Sequence, residues 1–289
     1  MKRYLKILER LTIITIALLL AVFTTACDVE KNELETTQPQ QEATVSNNTT
    51  DTEETTSPTP AIPQKLKFGS YNIKHGGDAE LDMTKLANNI TNAKLDVVGL
   101  QEVDQRTNRV NNIDTMQRLS NHTGYEYYAF FKAIDFQGGE YGVGILSKYP
   151  IVETERMELY SGNEEQRVLG RAKIDVNGLT VNFFVTHLSY ESLEIRTKQF
   201  KQVSEKINEY ENFIVTGDFN TSDFEEYSVI ENSAMVNNAD YSIPTFPSGN
   251  SSIDNIVYED GAWSFSYPKT ILASYSDHYM LYAEAEYLK

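Results

Sequence analysis

Phe213-Ile214-Val215-Thr216-Gly217-Asp218-Phe219-Asn220 is an apolar run that closes on a carboxylate and a carboxamide. Such a run reads as a buried strand, and α/β sheets usually put their chemistry at strand ends. An Asp and an Asn placed there suit a site where water or metal is held beside a phosphate. Ser276-Asp277-His278-Tyr279, close to the C-terminus, adds a proton acceptor of near-neutral pKa next to another carboxylate. Together the two strings imply metal-dependent chemistry on phosphate esters.

Working outward, strand-like and helix-like stretches alternate. Lys65 to Ile73 alternates apolar and polar residues, as a half-buried strand does. Met83, Leu86, Ala87 and Ile90 have helical spacing, and Asp96 to Leu100 reads as a buried strand ending at Gln101-Glu102. Ile113, Met116 and Leu119 predict a second helix that stops at Gly124. From Tyr125 the chain turns strongly β, and Asn177-Gly178 between Ala172–Val176 and Leu179–Val185 is a hairpin signal. A polar helix from about Leu193 to Tyr210 leads into the Phe213 strand. Ile253–Tyr258 and His278–Tyr287 are expected as closing strands. There is no internal repeat and no Gly-rich phosphate loop.

The N-terminus carries an address. Lys2, Arg3, Lys6 and Arg10 precede an apolar run of 13 residues, Leu11 to Phe23, which suits a secretory signal over 1–26 and is short for a membrane span. Thr24-Thr25-Ala26-Cys27 resembles a bacterial lipobox, with Thr24 where Leu is usual, so Cys27 is the expected lipidation site. An ordinary signal peptide or an uncleaved anchor is the alternative. Cys27 is the chain's one cysteine, so no intramolecular disulfide can form. Residues 27–64 are rich in Thr, Asn, Gln, Glu, Ser and Pro and read as a disordered tether, leaving a 225-residue domain over 65–289. The expected location is the bacterial cell membrane, lipid-anchored, with the domain outside the cytoplasm.

Charge narrows the partners. The signal contributes +3 (Lys2, Arg3, Lys6 and Arg10 against Glu9) and the tether −7 (eight acids against Lys31), leaving −13 on 65–289 of the chain's −17. Tight, non-specific nucleic-acid binding draws on lysine and arginine contacts to phosphates, and this domain has no basic run to supply them.

The polar residues at the strand ends form an ordered set: Asn72, Glu102, Tyr141, His187, Asp218, Asn220, Asp254, Asp277 and His278. In this order and spacing the set resembles the endonuclease/exonuclease/phosphatase superfamily, the DNase I-like fold, over essentially all of 65–289. The resemblance implies a four-layered α/β sandwich of two mostly antiparallel sheets packed face to face with flanking helices. It also implies a Mg²⁺ or Mn²⁺ site at Asn72, Glu102 and Asp277, an Asp254–His278 pair, and Asp218 and Asn220 beside the attacked phosphorus. His187 would donate to the phosphate. The lesser alternatives are a surface charge for Glu102, a turn for Asp218-Phe219-Asn220 and a satisfied core histidine for His187. Pancreatic-type deoxyribonucleases carry a glutamate two residues after the tyrosine matching Tyr141, where it supports the histidine matching His187. Here that residue is Val143, which sets the chain apart from a two-dyad deoxyribonuclease. Tyr141 is expected to bind substrate. Arg106, Arg109, Arg167 and Arg171 are candidates to grip its phosphate or plain surface arginines, and Thr245-Phe246-Pro247 is expected at the site rim.

The expected function is a phosphodiesterase or nuclease, acting as a monomer on nucleic acid, a lipid head group or a small phosphoester. A sphingomyelin or phospholipid phosphodiesterase, a small-molecule phosphatase, or a binding module on the same fold are the alternatives.

Overall fold

The computed structural model describes residues 61–272 and 275–289. Cys27, the signal 1–26 and the tether as far as residue 60 lie outside the described residues.

Among the described residues, twelve strands and three α-helices are named in chain order: β1 Leu66–Asn72, α1 Met83–Ala93, β2 Val97–Gln105, α2 Thr115–Thr123, β3 Tyr127–Phe136, β4 Gly139–Ser147, β5 Ile151–Glu158, β6 Val168–Val176, β7 Leu179–His187, α3 Leu193–Ile207, β8 Phe213–Asp218, β9 Ser233–Met235, β10 Asp254–Glu259, β11 Trp263–Ile271 and β12 Met280–Tyr287. They form two six-stranded sheets, ordered β11-β12-β1-β2-β4-β3 and β5-β6-β7-β8-β10-β9. Among the described residues only β1–β2 and β7–β8 pair in parallel. A parallel neighbour needs a crossover, and α1 and α3 supply the two.

The layers follow from alternation along the strands. Phe68 of β1, Val97 of β2, Phe183 and Val185 of β7, Ile214 of β8 and Ile256 of β10 share one buried cluster between the sheets. Their neighbours Val98 and Leu100 pack with Leu86, Ile90, Met116 and Leu119 of α1 and α2. On the other sheet Phe184, Phe213 and Val215 pack with Phe200, Val203 and Ile207 of α3. Three clusters separating helix, sheet, sheet and helix make the four-layered sandwich that the sequence resemblance implies.

Local signals explain the boundaries. Asp82 caps α1 by accepting from the Thr84 N–H at 3.1 Å, and Asp114 caps α2 from Gln117 at 3.0 Å. Because Asp114 is the cap, α2 starts at Thr115 and not at Ile113. It ends where expected, with Gly124 at φ +73°. Asn177 (φ +54°) and Gly178 (φ +96°) form the two-residue turn joining β6 to β7. Helix α3 stops at Ile207, short of Tyr210, where the Asn208 side chain folds back onto the Ser204 carbonyl at 2.8 Å. The last strand begins at Met280, not His278. The Ser276 hydroxyl donates to the Asn72 carbonyl at 2.7 Å and accepts the His278 N–H at 3.2 Å, holding 276–278 as a loop against the end of β1.

Candidate active site

The inward-facing rows of the central strands end in polar residues at one edge of the inter-sheet layer. Phe68 and Ser70 lead to Asn72, Phe183 and Val185 to His187, and Ile214 and Thr216 to Asp218. In register, His187 of β7 lies beside Asp218 of β8, and Asp218 beside Asp254, the first residue of β10. Glu102 reaches the same edge through an irregularity of β2. The β2–β4 register shifts between Leu100 and Val103, and Glu102 sits at φ +55°. A bulge of this kind re-aims a side chain next to a site.

Asp218 is the hub. Its Oδ2 accepts from Asn72 Nδ2 at 3.0 Å and lies 3.5 Å from His187 Nε2 and 3.6 Å from His278 Nε2. Its Oδ1 accepts the Asn220 backbone N–H at 3.0 Å. The other ring nitrogen of His278, Nδ1, is 2.8 Å from Asp254 Oδ2. Asp218, Asp254, His187 and His278 are all buried. Burial, then the charge of Asp254, pushes the Asp218 carboxyl up to about 7. Burial alone would lower His278, but its hydrogen bond and charge pairing with Asp254, helped by Asp218 and Asp277, raise it to about 10. His187 is held well below the ordinary histidine value by burial and then by Arg167 and His278. The arrangement therefore places a carboxyl that titrates near neutrality beside one imidazolium and one neutral imidazole. This is the proton inventory of general acid–base catalysis.

The rim loop expected at Thr245-Phe246-Pro247 reaches this pair. Thr245 Oγ1 accepts the Asp254 N–H at 3.1 Å, its carbonyl accepts the Tyr279 N–H at 2.7 Å, and the Phe246 ring lies 5.0 Å from that of His278.

Carboxylate acceptors outnumber donors here, as a cation site requires. Asp254 Oδ1 is buried without a hydrogen-bond partner among the described residues. Half-buried Glu102 receives one N–H, from Asn72 Nδ2 at 3.0 Å, and Asp277 faces the Lys74 ammonium at 3.2 Å. Two such oxygen donors suit a hard divalent cation that keeps several waters. Asp218, Asp254 and His278 form a group whose ligand atoms lie within 4.8 Å of one another. There Asp254 holds His278 Nδ1 and leaves Nε2 facing Asp218 at 3.6 Å. Asn72 lies between the two carboxylates. Its Nδ2 bridges Glu102 and Asp218, and its Oδ1 accepts the Lys74 N–H at 3.1 Å.

The arginines divide. Arg167 reaches His187 at 3.1 Å and is 4% exposed. Arg171, although expected at the site, is not there. It faces the α3 layer, donating to Glu153 at 2.8 Å and Asn182 at 3.1 Å, with its guanidinium 3.9 Å from the centre of the Tyr210 ring. Arg106 is likewise drawn off, 2.7 Å from Asp114 at the start of α2. Arg109 is pinned bidentately to Asp104 at 2.7 Å. With Glu102, Ile134, Phe136, Tyr141 and Glu165 it lines a small cleft of about 90 Å³. Tyr141 is thus beside the site, its hydroxyl pKa raised by burial and then by Glu102. Asn220 holds Asp218 through its backbone N–H, and its side chain donates one of its two N–H groups to the Leu188 carbonyl at 2.9 Å. Glu165 was missed in the sequence, where it belongs to no motif, and Ser276 was read there only as part of the string leading to Asp277 and His278.

A family model described as Endonuclease/Exonuclease/phosphatase family matches residues 69–278. No curated protein matches the chain. Among solved structures, an endonuclease/exonuclease/phosphatase from Beutenbergia cavernae is 20% identical with a TM-score of 0.67, covering 78% of this chain and 72% of that one. A mannosyl-6-phosphatase from Bacteroides thetaiotaomicron is 17% identical with a TM-score of 0.61, covering 77% and 100%. TDP2 from D. rerio, solved with a single-strand DNA product, is 23% identical with a TM-score of 0.61, covering 78% and 100%. These likenesses show the fold. With 210 of its 289 residues matched by the family model, the chain belongs to the endonuclease/exonuclease/phosphatase family.

Proposed function

We propose that this protein is a Mg²⁺- or Mn²⁺-dependent hydrolase of phosphate esters, foremost a phosphodiesterase or nuclease, tethered outside the cell membrane through Cys27. The observation that carries the reading is the Asp218 hub, a carboxyl poised near neutrality within 3.6 Å of two imidazole Nε2 atoms.

A phosphate ester seated against the hub would present phosphorus to a water beside Asp218. The Asp218 carboxylate takes the water's proton, which is efficient when its pKa lies near the working pH. The His278 imidazolium, oriented by Asp254, donates from Nε2 to the phosphoryl oxygens as charge builds on them. As the P–O bond to the departing ester oxygen breaks, that oxygen takes the Nε2 proton and leaves as the alcohol, and the proton held by Asp218 restores the imidazolium. Asn72 keeps Asp218 and Glu102 in register with each other. When bound at Glu102 and Asp277, a divalent cation supplies Lewis-acid polarisation of a phosphoryl oxygen. The cleft beside Glu102 accommodates one substituent of the ester.

The lipid phosphodiesterase alternative is weakened by Trp263. This one tryptophan of the chain is 2% exposed and packs against Phe68 in the inter-sheet core, so it cannot dip into a bilayer.

The test is a panel of DNA, RNA, phospholipid, sugar phosphate and synthetic mono- and diesters, assayed with Mg²⁺, Mn²⁺ and EDTA. Metal-dependent cleavage of diesters is expected. Cleavage of monoesters alone would move the reading to a phosphatase, and inertness toward every ester would sink it. For the anchor, Cys27→Ser is expected to release the protein from the membrane fraction or leave it unprocessed. Unchanged fractionation and apparent mass would indicate an ordinary or uncleaved signal.

A further inference from the structure

Val143 is 2% exposed and belongs to the inter-sheet core, so no carboxylate at that position supports His187. The partner of His187 is Arg167, which stands immediately before β6. Arg167 Nη1 lies 3.1 Å from His187 Nδ1. The guanidinium is itself fixed, 3.0 Å from Glu165 and 3.9 Å from Glu191. Val143, Arg167 and His187 line one small cavity together with Tyr141.

The polarity of this contact follows from chemistry. A guanidinium has five N–H donors and no acceptor, and in proteins it keeps its proton. His187 Nδ1 must therefore accept, and an imidazole that accepts at Nδ1 carries its one hydrogen on Nε2. That nitrogen is the one facing Asp218 Oδ2 at 3.5 Å, long enough to leave room for a phosphoryl oxygen to take over the hydrogen. A carboxylate in the place of Arg167 would do the reverse. It would accept from Nδ1–H and leave Nε2 as the proton-exchanging atom. The charged groups around the ring are Arg167, with Glu165 and Glu191 behind it, on one side and Asp218 and His278 on the other.

We infer that Arg167 is a positioning residue that fixes His187 as an uncharged hydrogen-bond donor through Nε2. Of the two site histidines, only His278 then exchanges a proton during the reaction. The phosphoesterase reading supplies the acceptor of the His187 hydrogen, but the tautomer itself stands or falls without it.

The test is the imidazole ¹⁵N spectrum of the purified protein labelled in its four histidines, with His187 assigned by its loss in His187→Gln. The neutral Nε2–H pattern is expected, unchanged between about pH 6 and pH 8. An Nδ1–H tautomer or an imidazolium at His187 in that range would overturn the inference. In Arg167→Met the fixed pattern should be lost, and in Arg167→Met/Val143→Glu it should turn to Nδ1–H. A His187 spectrum unchanged by Arg167→Met would remove Arg167 as its cause. The unsubstituted protein decides the tautomer even if a variant fails to fold. In turnover of a synthetic diester, His187→Ala should lose about 10²-fold or more, whereas His187→Gln, which retains an N–H donor, should keep at least about a tenth of the activity. Equal loss in both would mean that His187 exchanges a proton after all. Val143→Glu alone should not raise DNA cleavage, because Arg167 already determines the polarity of His187; a clear gain would contradict the inference.

Discussion

His278→Ala is expected to lower turnover by about 10²–10⁴-fold and to destabilise the fold as well. An open, solvated cleft would make the substitution structurally silent, but His278 is only 5% exposed. It is the hydrogen-bond partner of Asp254 Oδ2, and Asp254 Oδ1 already has none among the described residues. Removing the imidazole strands a fully buried carboxylate, a loss worth about 3–5 kcal/mol. For a domain of this size each 1 kcal/mol moves Tm by about 2–4 °C, so a drop of roughly 6–20 °C should appear in a thermal melt. The double substitution His278→Ala/Asp254→Asn should regain most of that stability and none of the turnover. A double variant as unstable as the single one would show that the buried charge is not the cause.

Asp218→Asn is expected to cost about as much in turnover, because a carboxamide cannot accept the water's proton. It keeps the shape of the side chain, so Tm should move far less than in His278→Ala. The pH profile of the parent enzyme carries the same information. Ionised Asp218 is the competent form, so activity rises as pH climbs through about 7. Protonated His278 is the competent form of its pair, so activity falls as pH passes about 10. Positive charge brought into the site favours the carboxylate and moves the first limb down, never up. An acid limb well above about pH 7, or one that survives in Asp218→Asn, would assign the base to another group.

Much of the architecture was legible because it rests on local signals. Asn177-Gly178 can hardly be anything but a tight hairpin, and α1 follows from four apolar residues at helical spacing behind an Asp cap. The polar tips were legible for a related reason: Asn72, His187 and Asp218 each end a run whose alternation already points inward. What escaped depends on register or on departures from it. Arg167 and Arg171 are four residues apart, yet one backs His187 and the other stacks on Tyr210. Arg171 lies inside β6, where alternation sends odd positions to the helix layer, while Arg167 precedes the strand, where alternation no longer applies. The aim of Glu102 comes from a bulge with a left-handed residue, which no composition of β2 announces. Asn72 could be placed at the site but not assigned a role, because which carboxylates its amide bridges is set by contacts 30 and 146 residues away in sequence. The missing carboxylate at Val143 was visible from sequence, and its replacement by Arg167 only from the structure.

The central claim is that a divalent cation at Glu102 and Asp277 and the Asp218 hub act together on a phosphate ester. It is tested most directly by turnover of one synthetic phosphodiester by the chelator-stripped protein, titrated with Mg²⁺, alongside Glu102→Gln. Activity should be absent after stripping and return with Mg²⁺ in the parent. In Glu102→Gln it should return only at much higher Mg²⁺ or not at all. Full turnover in the thoroughly stripped parent, or identical Mg²⁺ titrations of parent and Glu102→Gln, would contradict it.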